Sequence, residues 1–148
     1  MADTSQRVKD VEALLNELLP FAERMLTEHQ EFLPFGGRTA LSGEIILEGA
    51  QNEDEMPLSA DLIAILHNKH REQAVSREIR ACAVVYDIRT IPPGRSEKQD
   101  AICVAVEHAT GYCASIIYPY AFTPAGELAI ATGYAVEGKV SVFPRANA

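Results

Sequence analysis

Tryptophan is absent from this 148-residue chain, and cysteine occurs only three times. Three thiols cannot all pair within one chain, so a disulfide framework is excluded and all three are expected to be free in a reducing compartment. Basic residues are scarce as well. Thirteen Lys and Arg against 21 Asp and Glu leave a formal charge of −8, which argues against a nucleic-acid partner, because phosphate neutralisation needs a basic stripe. Long apolar runs are missing. Runs such as residues 81–86 and 114–118 fall far short of the roughly 20 residues that cross a bilayer, so no membrane span is expected. Residues 1–10 are polar and show no apolar signal region, which makes the cytoplasm the expected location. No Gly-rich strand-to-helix turn matches a phosphate loop or a dinucleotide fingerprint, and no cofactor is indicated.

What is present is periodicity. Val8, Val11, Leu15, Leu18, Ala22 and Met25 recur at helical spacing, broadened by Leu14, Leu19, Phe21 and Leu26, which predicts a first helix capped by Thr4 or Ser5. Pro20 interrupts this run and predicts a kink near residues 16–17 or two abutting helices. Ser42-Gly43 separates two short strand-like segments and predicts a hairpin with a two-residue turn. Residues 49–56 form an acidic loop. Pro57-Leu58-Ser59 opens a second helix with Ser59 as cap, whose apolar face fades after Leu66, so that its carboxyl half is expected in solvent.

From residue 79 onward the chain alternates with period two. Cys82, Val84, Tyr86 and Ile88, then Ile102, Val104 and Val106, then Ile116, Tyr118 and Tyr120 are mostly bulky, while the intervening positions are mostly small. The pattern predicts a sheet with one bulky face and one smooth, alanine-rich face, the latter covered by a helix or left as a partner surface or pocket floor. Ala109-Thr110-Gly111 predicts a three-residue hairpin that sets Val104 opposite Ile116 and Cys103 opposite Ile117. A last strand is expected over residues 127–136, with a further one over 139–143. The composite is a single α+β domain over residues 1–148. It has one antiparallel sheet of five to six strands and two helices, in the order α-β-β-α-β-β-β(-β).

Candidate chemistry is sparse. Cys103 and Cys113 share a strand face, but by register they lie about 13 Å apart, and His108 points to the other side, so buried structural thiols are the simpler reading. His67 and His70 share one side of a helix without further ligands, and no metal site is assigned. Asp87 and Glu107 have the same parity on neighbouring strands, yet the expected turn leaves them roughly 13 Å apart, beyond acid-base partnership. An ion pair between Asp87 and Arg89, or contact with a helix end, is the expected use of that segment.

Residues 32–37 (F-L-P-F-G-G), 78–89 (E-I-R-A-C-A-V-V-Y-D-I-R) and 100–108 (D-A-I-C-V-A-V-E-H), with Tyr118-Pro119-Tyr120 after them, resemble the shared phrases of a family of small uncharacterised bacterial proteins. That resemblance implies a bacterial cytoplasmic origin and carries over no activity and no catalytic residue. The element order is also similar to roadblock and profilin-like regulators, which implies pairing through sheet edges or helices. Two functions follow as expectations. The first is a non-enzymatic, homodimeric regulatory or immunity-like protein that binds another, basic protein through Glu48, Glu53, Asp54 and Glu55. The alternative is a small-molecule binder or small enzyme with a pocket at the sheet end, built from Asp87, Arg89, Glu107 and His108.

Overall fold

The structure, a computed structural model, describes residues 4–50, 56–139 and 142–143. Among these residues are two helices and seven strands, in the order α1 (Thr4–His29), β1 (Phe35–Ala40), β2 (Ile45–Glu48), α2 (Ser59–Val75), β3 (Ile79–Thr90), β4 (Gln99–His108), β5 (Cys113–Phe122), β6 (Leu128–Ile130) and β7 (Tyr134–Glu137). Every pairing is antiparallel, and the spatial order is β2-β1-β3-β4-β5-β6, with β7 also on β5. The expected α+β class and single sheet are present, with one strand more than the expected upper bound.

The two helices lie on opposite faces of the sheet. On one face α1 buries Leu14, Leu18, Ala22 and Leu26 against Ala81, Ala83 and Val85 of β3 and Ile102, Val104 and Val106 of β4. On the other, α2 packs on β1 and β3 through Leu62, Leu66, His70 and Ala74. The consecutive glycines of β1 make both approaches close. A Cβ on Gly37 would lie 2.8 Å from Leu18 of α1, and one on Gly36 would lie 3.3 Å from His70 and 3.4 Å from Leu66 of α2. Alternation along the strand sends the two positions to opposite faces, so each glycine admits one helix.

The expected division into a bulky and a smooth face does not occur. Val85 pairs with Val104 and Asp87 with Ile102, whereas a turn centred near residues 95–96 is expected to set Asp87 opposite Cys103, one residue away. Because side chains alternate with period two, a shift of one residue moves all of β3 to the other face relative to β4. The small Ala81 and Ala83 therefore sit beside Val106 and His108 under α1, and Val84 and Tyr86 sit beside Ala105 and Cys103 under α2. The β4–β5 register is as expected, with Val104 opposite Ile116 and Cys103 opposite Ile117; Gly111 takes φ +100° in the three-residue turn.

Several local expectations are corrected. α1 is one continuous helix through Pro20, whose ring is exposed, as is Asn16 one turn earlier, where water can meet the freed carbonyl. The β1–β2 turn holds three residues, since the Ala40 amide donates to the Glu44 carbonyl at 2.8 Å, and Gly43 takes φ +97°. Leu58, not Ser59, occupies the N-cap of α2, with no side-chain cap. The carboxyl half of α2 stays on the sheet: Ala74 is buried with Ile79, Cys82, Val142 and Phe143. The segment expected as one strand over 127–136 is two, because the pairing with β5 shifts by one residue between β6 and β7, at Gly133, where the Tyr118 ring leaves no room for a Cβ. The shift turns Leu128 and Ile130 toward α1 and Tyr134 toward the α2 face.

Candidate functional site

Strand pairing sets Cys82, Glu107 and Cys113 in one row across β3, β4 and β5 on the α2 face. The next row is Val84, Ala105 and Ser115, followed by Tyr86, Cys103 and Ile117. Small side chains in the middle of these rows leave space above them. α2 supplies His67 and His70 on one side, Gly138, Lys139 and Val142 line another, and the half-open cavity between them measures about 370 Å³, inside the range of small-ligand sites, about 300–1,000 Å³.

Glu107 is the buried charge of this cavity, only 6% exposed. Its Oε1 accepts the Val142 amide at 3.2 Å, which ties the carboxyl-terminal segment to the sheet. Burial, reinforced by the Glu107 charge, pushes the Cys113 thiol up to about 11 and the Cys82 thiol well above the usual range. Burial also raises Cys103, which is in hydrogen-bond contact with Tyr86 and Ser115. None of the three is a thiolate at neutral pH, so none is an activated nucleophile. All three are free thiols. Cys82 and Cys113 lie two strands apart, about 9–10 Å, too far for a disulfide.

Beside the cavity, His70 is wholly buried and its Nε2 lies 2.9 Å from Oε1 of Glu48. Arg38 and Lys69 reach the other carboxylate oxygen at 2.7 and 2.8 Å. Burial alone would raise the Glu48 pKa, but the His70 and Lys69 hydrogen bonds and the Arg38 charge bring it to about 2. Burial, and His70 next to it, lower His67 and favour its neutral form.

The opposite face carries a second polar cluster. Asp10 on α1 accepts His108 Nε2–H at 2.8 Å, Arg80 at 2.9 Å and Gln6 at 2.9 Å. Burial pushes the Asp10 pKa up, and these three donors outweigh it, so its carboxyl sits below the ordinary range. The Thr110 amide donates to His108 Nδ1 at 3.2 Å, which occupies the ring's other nitrogen and makes the cluster a clamp between α1 and the β4–β5 hairpin. Farther along, Asp87 accepts the Tyr120 hydroxyl at 2.9 Å. Partial burial, with Asp100 nearby, raises the Asp87 pKa. Asp87 borders a wide groove of about 800 Å³ beside Phe21, Phe32 and Met56.

The four residues expected at one sheet-end pocket are thus dispersed. Asp87 and His108 lie on the α1 face but six residues apart along the sheet, about 20 Å. Glu107 is on the other face, and Arg89 pairs with Asp100 at 3.8 Å instead of Asp87. Glu48, expected to meet a partner, is buried and bound within the chain. Glu53, Asp54 and Glu55 lie outside the described residues. Among the described residues no group of three His, Cys, Asp or Glu is placed to hold a metal, and no helix is long and apolar enough to cross a membrane.

The sequence reading missed His70 and Asp10 as buried residues, although a signal exists. Asp10 begins the stripe Asp10, Leu14, Leu18, Ala22, Leu26, and His70 continues Leu62, Leu66, His70, Ala74, both at a strict spacing of four and both buried. A polar residue on such a stripe faces the core and requires a buried partner. No family model, curated protein or solved structure matches the chain.

Proposed function

We propose that the protein is a non-catalytic binding domain that holds a small molecule in the cavity between α2 and strands β3–β5. The observation that carries this reading is a 370 Å³ space floored by small side chains and edged by buried polar groups. Catalysis has no support there, because the thiols are held protonated and no activated nucleophile with its base lines the space. Ala105 sits in the middle of the floor, and Ala105→Phe fills the space without touching the α1 core. A ligand found by thermal shift should raise the melting temperature of the native protein and leave Ala105→Phe unmoved. An equal shift in the filled variant would remove this reading.

A second reading, a protein partner, rests on a different observation. Leu33 and Met56, 56% and 89% exposed, line the groove that Asp87 borders together with Phe21 and Phe32, an apolar group of the kind that marks interfaces. We take the partner to be a second copy of the chain. Sedimentation equilibrium should then show a dimer that Leu33→Glu dissociates, and a monomeric native protein would rule it out.

A further inference from the structure

The carboxyl-terminal segment has a small core of its own. Ala74 of α2, Ile79 and Cys82 of β3, and Val142 and Phe143 form a hydrophobic cluster apart from the large one under α1 and from the one around Cys103. Val142 and Phe143 are 3% and 8% exposed, so the segment lays two consecutive, fully engaged side chains across α2 and β3 as a strap. Its fastening is light. The Val142 amide donates to Glu107 at 3.2 Å, the long end of the usual range of about 2.7–3.2 Å. Upstream, regular pairing with β5 stops at Glu137 opposite Ala114, and the Gly138 amide reaches the Cys113 carbonyl only at 3.4 Å. Gly138 lies so close to β5 that a Cβ there would come within 2.9 Å of Cys113 Sγ. The strap thus leaves the sheet at a residue with no side chain to hold it.

Segments held by few buried apolar contacts open on their own, at lower cost than the whole fold. The core under α1, which joins that helix to β1, β3 and β4, does not include the strap. We infer that the Val142–Phe143 strap is a movable wall of the cavity, swinging away from α2 and β3 about Gly138 while the sheet and both helices stay folded. Val142 lines the cavity and Phe143 does not. Opening therefore removes part of the wall and joins the cavity to the space vacated over Ala74 and Cys82. The movement is a property of the fold. Its use, admitting a ligand larger than the resting cavity of about 370 Å³, rests on the small-molecule reading of the site.

Cys82 reports on the strap, and Cys103 is its control. Both thiols are buried, 2% and 3% exposed, but only Cys82 belongs to the strap's cluster. Iodoacetamide labelling of the full chain, read by mass spectrometry of the two peptides, is followed from zero urea to just below the unfolding transition. Cys82 should label at least roughly tenfold faster than Cys103, and nearly independently of urea, because a local opening exposes little surface. Phe143→Ala, which leaves the cavity lining intact, should speed Cys82 at least roughly tenfold by removing most of the strap's burial, with Cys103 unchanged. Labelling of Cys82 at the rate of Cys103, rising with urea as steeply as global unfolding, overturns the inference. So does a Phe143→Ala effect of equal size on both thiols, since a loss of overall stability speeds both. The native-protein comparison decides the matter even where the variant fails to fold. An equal melting shift in the native protein and Ala105→Phe would remove the small-molecule reading and leave the labelling pattern untouched, so the two are decided separately.

Discussion

Glu48 is the residue at which the sheet, α2 and solvent charge meet. An ordinary carboxyl takes up its proton near 4.5, and this one does so at about 2 in the folded protein. Between those values the unfolded chain binds the proton first. The stability contributed by Glu48 is therefore full above about pH 4.5 and is lost as the pH falls toward 2. The shift corresponds to roughly 3 kcal/mol. Urea denaturation across that interval should show Glu48→Gln less stable than the native protein by about 3 kcal/mol at pH 7 and flatter in its acid dependence. The thiols give a second expectation. With Cys113 near 11, scarcity of thiolate outweighs its higher intrinsic nucleophilicity, so alkylation by iodoacetamide at pH 8 should be at least roughly tenfold slower in the native protein than in urea. Mass spectrometry of the labelled peptides reads this directly. Neither property was legible from composition, because both depend on what lies across the sheet: Glu48 sits opposite Gly36 in the β1–β2 pairing, and that glycine leaves the room His70 uses.

Among the elements, β1 holds the two layers at their spacing. Gly37 has Leu18 pressed against it, and an added methyl would meet that side chain at 2.8 Å. Gly37→Ala should destabilise by about 1–3 kcal/mol, the cost of overpacking, whereas Gly49→Ala, with open space around it, should change stability by less than about 0.5 kcal/mol. Paired chemical denaturation curves check the contrast. Element boundaries in the second half were legible in the sequence wherever a glycine marked the turn: the β4–β5 hairpin and its register follow from Ala109-Thr110-Gly111. The burial of the carboxyl half of α2 was not, because His67 and His70 read as polar until Glu48, 22 residues before His70, is known to lie beneath the helix. Likewise the break at Gly133 is imposed by the Tyr118 ring on a neighbouring strand, which no local pattern announces.

For the whole molecule, the sheet and its two helices were legible, while the arrangement of the layers turned on a single residue of register. Asp87 opposite Ile102 instead of Cys103 exchanges the faces of β3. It separates Asp87 from Glu107 and gathers Cys82, Glu107 and Cys113 under α2. Nothing in β3 itself settles the choice, since Ala81 and Ala83 alternate with Cys82 and Val84 and either set satisfies a half-buried strand; the turn at residues 91–98 decides it. The same register shapes the cavity floor, because it sets Cys82, Val84 and Tyr86 beside Glu107, Ala105 and Cys103 on the α2 face. The most direct measurement is a methyl and amide chemical-shift map of the native protein titrated with a small molecule that raises its melting temperature. The account predicts shifts at Ala105, Ser115 and Cys113 and none at Ala81, Ala83 or Tyr120 on the α1 face. Shifts centred on Ala81, Ala83 or Asp87, with Ala105 unmoved, would contradict it.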